Sequence, residues 1–423
     1  MQSLKWLRAS ARFFKRRGGQ AILAAVASMP LWVGTGANAD AVVWRKNFFP
    51  IGVWSQPIYT FDKWQSRGIN TLVKYESYGG EDSINEWITA ANAKGFYQIR
   101  QPRSKLSADL HESRLLAWMQ VDEPDYRKVP VSTLAARYAK MKAADRSKPV
   151  LVNLSGGNVL SATSRKAYAK YLASADWISS DLYPVTGWGR PDWLDYSKTT
   201  KKTAANRKTL GMAVSRLSEW SKQKRQFAVI ETSNQKLSWV NNPRGVRPGE
   251  LRAQVWDAII HGARGIIYFP MQIGGGFRYD ATPADVVNEM TTQNARIKSL
   301  ASVINSHSGT VQWVESSSVL EGMTRTSAGD EYFFVLNMSS KPQEDQWIRL
   351  KGLREIKDIN VVGESRTLNR VKGYIRDDFA PYELHVYQAD VNRSEVTPAP
   401  IPEPVGLLPA ALGALLLRRR RRA

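Results

Sequence analysis

Residues 115–124 read Leu115-Leu116-Ala117-Trp118-Met119-Gln120-Val121-Asp122-Glu123-Pro124, an apolar run ending in two carboxylates and a proline. A buried strand of a parallel sheet has this form. Its residues are apolar throughout because both faces are covered, and polar residues follow where the chain leaves the sheet. Seven further runs share it, at 49–54, 70–75, 96–101, 150–154, 177–183, 227–231 and 265–269. The segments between them carry apolar residues at helical spacing. In 83–93, Ile84, Trp87 and Ile88 share a face and Ser83 sits where an N-cap belongs; 131–143 and 248–261 read the same way. Strands alternating with helices predict an α/β fold with a parallel sheet, and a total of eight predicts closure into a (β/α)8 TIM barrel over residues 47–305. An open doubly wound sheet is the alternative, but no glycine-rich turn follows the first run. After a long helical stretch at 283–305 the pattern changes. Runs at 319–324, 332–336, 347–350 and 382–387 alternate or stay apolar between turn residues, so 310–390 predicts a small all-β sandwich.

The composition narrows the chemistry. The 423-residue chain has no cysteine, which excludes disulfides, thiol catalysis and Cys-ligated metals. Its four histidines, His111, His261, His307 and His385, have no HExxH or paired spacing, so neither a metal nor a cofactor is expected. No Gly-x-Ser-x-Gly elbow is present, which disfavours serine hydrolysis. Half of the net charge of +22 sits at the two ends, in six basic residues among the first 17 and in arginines 418–422. The rest is spread over the body without a nucleic-acid fingerprint, so no nucleic-acid partner is expected.

The ends read as addresses. Residues 1–39 join a basic start, an apolar stretch at 21–33 and the small-residue run Gly36-Ala37-Asn38-Ala39, the pattern of a secretory signal peptide. Residues 391–401 form a Pro-rich linker. Residues 402–423 place Pro402-Glu403-Pro404 before an apolar stretch at 405–417 and the arginine run. This tail resembles the PEP-CTERM sorting signal of Gram-negative bacteria. The resemblance implies an exosortase-type processing enzyme as partner, export to the extracellular space or outer cell surface, and only transient membrane contact. Thirteen apolar residues give about 20 Å of helix, against about 30 Å of hydrocarbon.

Barrel active sites lie at the carboxyl ends of the strands. The fourth run ends Asp122-Glu123, and the seventh ends Ile230-Glu231-Thr232-Ser233. With acids at these two places the chain resembles the clan A glycoside hydrolases, retaining enzymes with an acid/base glutamate ending strand four and a nucleophile glutamate ending strand seven. The resemblance implies Glu123 as acid/base, Glu231 as nucleophile, and Tyr183, in Ser180-Asp181-Leu182-Tyr183-Pro184, beside the nucleophile. Two residues depart from the pattern. Asp122 stands where the family has Asn; ionised, it only accepts hydrogen bonds, and it raises the proton affinity of Glu123. The eighth run ends Tyr268-Phe269 where many members have Trp. Alternation groups Met119, Val121 and Glu123 on one face and turns Asp122 away, unless the strand end kinks. Asp181, Asn153 and Glu76 are placed to hydrogen-bond sugar hydroxyls, and Trp54 and Trp188 to stack on apolar sugar faces. The expected function is that of an exported retaining glycoside hydrolase cleaving a β-linked polysaccharide by double displacement. The alternative is a carbohydrate-binding or structural matrix protein without turnover. A chitinase-like, substrate-assisted mechanism would want alternating acids, which 120–123 lack.

Overall fold

The computed structural model describes residues 46–74, 83–162, 165–198, 200, 208–308, 312–314, 317–351 and 358–390. The signal peptide, linker and sorting tail expected at 1–39, 391–401 and 402–423, and Glu76, lie outside the described residues. Eight parallel strands close on themselves: β1 (Ile51–Trp54), β2 (Thr71–Lys74), β3 (Tyr97–Arg100), β4 (Leu115–Met119), β5 (Val150–Ser155), β6 (Trp177–Asp181), β7 (Arg225–Glu231) and β8 (Ala263–Phe269). Gly52 pairs with Thr71 of β2 on one side and Ile267 of β8 on the other, so the open-sheet alternative is excluded. The helices are α1 (Phe61–Ser66), α2 (Ile84–Ala93), α3 (Val131–Ala144), α4 (Gly156–Ser161), α5 (Ala169–Ala173), α6 (Leu210–Trp220), α7 (Pro248–Ile260) and α8 (Ala284–Ile304). Ser83 caps α2 in a reciprocal box: its hydroxyl accepts from Glu86 N at 3.2 Å, and the Glu86 carboxylate accepts from Ser83 N at 3.0 Å.

Strand alternation makes two cores. Val73, Ile99, Met119, Leu151, Trp177, Phe227, Val229 and Ile267 fill the barrel, while Ile51, Val53, Ala228, Ile230 and Ile266 face the helices. The second core continues into the C-terminal sheets. One has the order β15 (Arg366–Asn369), β14 (Asp358–Val361), β17 (Leu384–Ala389), β12 (Asp330–Asn337), β11 (Leu320–Ser327), β9 (His307–Ser308); the other runs β10 (Gln312–Val314), β13 (Gln343–Lys351), β16 (Tyr374–Phe379). On β12, Phe333 and Val335 point into the sandwich, whereas Phe334 and Leu336 pack on the barrel helices. The Phe334 ring lies 5.9 Å from that of Trp256 on α7. Both faces of β12 are therefore buried, which is why 332–336 reads as a continuous apolar run.

One buried ion pair braces the barrel wall. Arg100, at the end of β3, meets Asp109 at 2.8 Å with both side chains fully buried, and Trp118 Nε1 donates to the same carboxylate at 3.1 Å. Asp109→Ala strands a buried guanidinium and should cost about 3–5 kcal/mol of unfolding free energy. A urea midpoint within error of wild type would show that the pair bears no such load.

Candidate active site

Above the carboxyl ends of the strands lies a cavity of about 680 Å³ whose walls include Glu123, Asp181, Tyr183, Trp188, Gln235 and Trp239. A recess of about 210 Å³ at the same acids is lined by Trp54, Asp122, Arg127, Asn153 and Phe269. The backbone aims these groups. β4 ends at Met119, three residues sooner than the sequence pattern implies, and Glu123 adopts φ 42°, the left-handed region that a β-carbon disfavours. Glu123 N donates to Asn153 O at 3.0 Å, tying this turn to β5. The kink brings Asp122 into the recess beside Glu123, so the expectation that alternation turns Asp122 away is corrected: alternation stops where the strand stops. Asp125 secures the turn, accepting from Ser155 N at 3.1 Å and from the Tyr168 hydroxyl at 3.0 Å.

Asn153 bridges the acids. Its carbonyl accepts from Ser179 Oγ at 2.8 Å, which turns the amide nitrogen toward Asp122 Oδ1 at 3.0 Å and Asp181 Oδ2 at 3.3 Å. The Tyr183 hydroxyl donates to Asp181 Oδ2 at 3.3 Å, and its ring stacks on Phe269 with centroids 5.3 Å apart. Asp181 and Glu123 line the same cavity and the same recess. Arg127 reaches Asp122 at 3.5 Å from the solvent side. Burial, then the charges of Asp122 and Asp125, push Glu123 up to about 7. Burial, then Glu123 and Asp122, push Asp181 well above the ordinary carboxylate range, and burial also raises Asp122. Buried carboxyls crowded into one recess cannot all ionise cheaply, which favours their protonated forms.

Glu231 is placed differently. It ends β7 as expected, but it is fully buried and its carboxylate is turned onto the loop after β6. Oε1 accepts from Val185 N at 2.9 Å, and Oε2 from Thr186 N at 2.7 Å and Thr186 Oγ1 at 2.6 Å. Burial pushes it up to about 7, against these three hydrogen bonds. It lines neither the cavity nor the recess; the carboxylate that lines both together with Glu123 is Asp181. The physical reason is the pair of backbone N–H groups at 185–186, which would be orphaned without an acceptor.

Trp188 is 47% exposed and Trp239 74% exposed, so both present ring faces at the rim, with Tyr126 alongside. Gly157 makes room for Trp188, because a β-carbon there would fall 2.3 Å from the indole. Trp54, by contrast, is buried, although it lines the recess. The sequence reading passed over Tyr126, Arg127, Gln235 and Trp239, which lie on loops where spacing carries no signal. Tyr126 and Arg127 do fall within four residues of Glu123, and that proximity was the one available hint.

A closed (β/α)8 barrel with an acid cluster and an aromatic rim at its carboxyl end defines a carbohydrate-processing barrel of the clan A type. A family model described as glycoside hydrolase 42, beta-galactosidase, matches residues 74–298, more than half of the chain, and the chain belongs to that family. No curated protein matches it by sequence. Among solved structures it is similar to a cyclomaltodextrinase (8% identity, TM-score 0.54, covering 82% of this chain and 78% of that one). It is also similar to Amy13B of Eubacterium rectale (9% identity, TM-score 0.52, covering 83% and 99%). At such identities the likeness is one of fold.

Proposed function

We propose that this glycoside hydrolase is a retaining enzyme that cleaves a polysaccharide laid across the Trp188 and Trp239 rim, with Glu123 and Asp181 as the reacting pair. The observation that carries the reading is that these two carboxyls line the same cavity and the same small recess at the carboxyl end of the barrel. A retaining pair works at about 5–5.5 Å, whereas about 6.5–9.5 Å leaves room for an attacking water; two acids sharing one small recess suit the closer arrangement. Glu123 gives its proton to the leaving glycosidic oxygen as the C1–O bond breaks, and Asp181 closes an ester bond to C1. In the second step Glu123, now ionised, takes a proton from water, whose oxygen attacks C1 and releases Asp181. Asn153 and Tyr183 hold Asp181 in place, and Asp122 keeps Glu123 protonated. Trp188 and Trp239 offer flat apolar faces to sugar C–H groups. Export by residues 1–39 and processing of the 402–423 tail by an exosortase-type enzyme belong to the same proposal and suit an extracellular glycan.

The test uses a panel of β-linked polysaccharides that includes the host's own exopolysaccharide, with products read by mass spectrometry and the first-formed anomer by NMR. A 2-fluoro glycoside trap followed by peptide mapping should label Asp181. An inverted product would overturn the retaining assignment, and label on Glu231 would move the nucleophile there. The proton on Glu123 also fixes a pH limb: kcat/KM should fall about tenfold per unit above pH ~7, as the acid is lost. A profile flat to pH ~9 would remove Glu123 as the acid. The capped Glu231 favours a second reading, glycan binding without turnover; a retained glycan with no product from the wild type would establish it.

A further inference from the structure

A second polar cluster lies away from the cleft, where the barrel helices meet the sandwich. Asp257 on α7, His261 just beyond it and Glu321 on β11 each offer one ligand atom, and the three atoms lie within 4.8 Å of one another. His261 Nε2 stands 3.1 Å from Glu321 Oε2 and 3.5 Å from Asp257 Oδ1. Ligands held about 2.0–2.1 Å from a tetrahedral zinc are about 3.3–3.4 Å apart. Both separations therefore fit edges of one zinc tetrahedron.

The surroundings orient all three groups. His261 Nδ1 lies 2.7 Å from Ser215 Oγ, so the Nδ1–H tautomer can donate there and turn the Nε2 lone pair toward the carboxylates. Metal-ligating histidines are fixed by such a bond from the other ring nitrogen. Gly211 N donates to Asp257 Oδ2 at 2.7 Å, and the Tyr196 hydroxyl donates to Glu321 Oε1 at 3.0 Å. Each carboxylate thus has one oxygen held from behind and the other presented to the imidazole. Thr209 Oγ1 lies 3.3 Å from the presented oxygen of Asp257.

Space and charge point the same way. A β-carbon on Gly211 would fall 2.2 Å from Asp257 Oδ1 and 2.4 Å from His261 Cδ2, so α6 approaches this closely only because residue 211 is glycine. Asp257 is fully buried and Glu321 nearly so, while the His261 side chain keeps 17% exposure and leaves a path from solvent. Two buried carboxylates share one imidazole. A divalent cation removes that conflict.

We propose that Asp257, His261 and Glu321 form a zinc site that ties α7 of the barrel to β11 of the sandwich, with water in the fourth position. Scattered positions 257, 261 and 321 hide the site from spacing rules; it exists only because the sandwich docks on α7.

The test strips the full-length protein with a chelator, returns zinc alone and measures bound zinc and thermal melting. One zinc per chain and a melting rise of several degrees are expected. His261→Gln and Glu321→Gln should each weaken zinc binding more than tenfold. His385→Gln, in the separate cluster where His385 meets Glu364 and Glu383, should leave it unchanged. Ser215→Ala frees only Nδ1 and should weaken binding severalfold, which keeps the question open to measurement if the ligand variants fail to fold. Less than a tenth of a zinc per wild-type chain overturns the site. So does zinc that survives both ligand substitutions, or zinc that is lost with His385→Gln instead.

Discussion

Glu123→Gln should lower kcat by about 10²–10⁴-fold while the protein melts no lower than wild type. The activity loss follows from position: Glu123 lines both the cavity and the recess at the mouth of the barrel, where burial and the charges of Asp122 and Asp125 raise its proton affinity. The melting behaviour follows from linkage. Glu123 rises from 4.5 to about 7 on folding, so the folded state binds its proton more tightly than the unfolded chain does. The benefit of that proton is complete below pH ~4.5 and is lost as pH climbs through ~7. There the wild type must either ionise Glu123 against burial and the charges of Asp122 and Asp125 or keep a proton that solution no longer favours. The glutamine keeps the neutral form at every pH. The variant should therefore match wild type near pH ~4.5 and exceed it by a few degrees near pH ~8, with the gap opening between. Activity above a tenth of wild type would remove Glu123 from the acid role. A melting difference that stays constant with pH would mean the cluster does not hold its proton in common.

Most of the barrel was legible because burial on both faces writes itself as apolar runs, and eight such runs with helices between them leave few architectures. The sandwich was legible for the same reason on β12. What the sequence did not show was where the strands stop. The fourth run continues apolar through Val121, yet β4 ends at Met119 and the chain turns at Glu123 in a left-handed conformation. That conformation depends on Asn153 O and on the Asp125 contacts, partners about thirty residues away. Alternation is a local rule and cannot register them, so it misplaced Asp122. The same limit explains Glu231. Its position at the end of β7 was plain, but which way its carboxylate turns is decided by two N–H groups at 185–186. Asp181 entered the sequence reading as a binding residue through its neighbour Tyr183; only the fold shows that it shares a recess with Glu123.

The Glu231→Gln variant separates the two carboxylates that compete for the second catalytic place. Its wild-type side chain accepts from two peptide N–H groups and a hydroxyl. Glutamine has a single acceptor oxygen, and its NH2 must face one of the donors. The Thr186 hydroxyl can rotate away, but the N–H groups of Val185 and Thr186 cannot, so one buried donor is orphaned at a cost of about 1–3 kcal/mol. Melting should fall by several degrees, and the loop that carries Tyr183 and Trp188 should loosen. KM should therefore rise severalfold while kcat stays within about tenfold of wild type, the split expected when binding rather than the reacting pair is damaged. Thr186→Val, which removes one of the three donors and leaves the carboxylate intact, should shift both quantities in the same direction by less. The opposite pattern is equally distinct: a loss of kcat beyond about 10⁴-fold with unchanged melting, and rescue of Glu231→Gly by azide through a glycosyl azide of inverted anomer. Nothing but a nucleophile behaves that way, and the 184–188 loop would then have to swing aside during turnover to uncover the carboxylate it now covers.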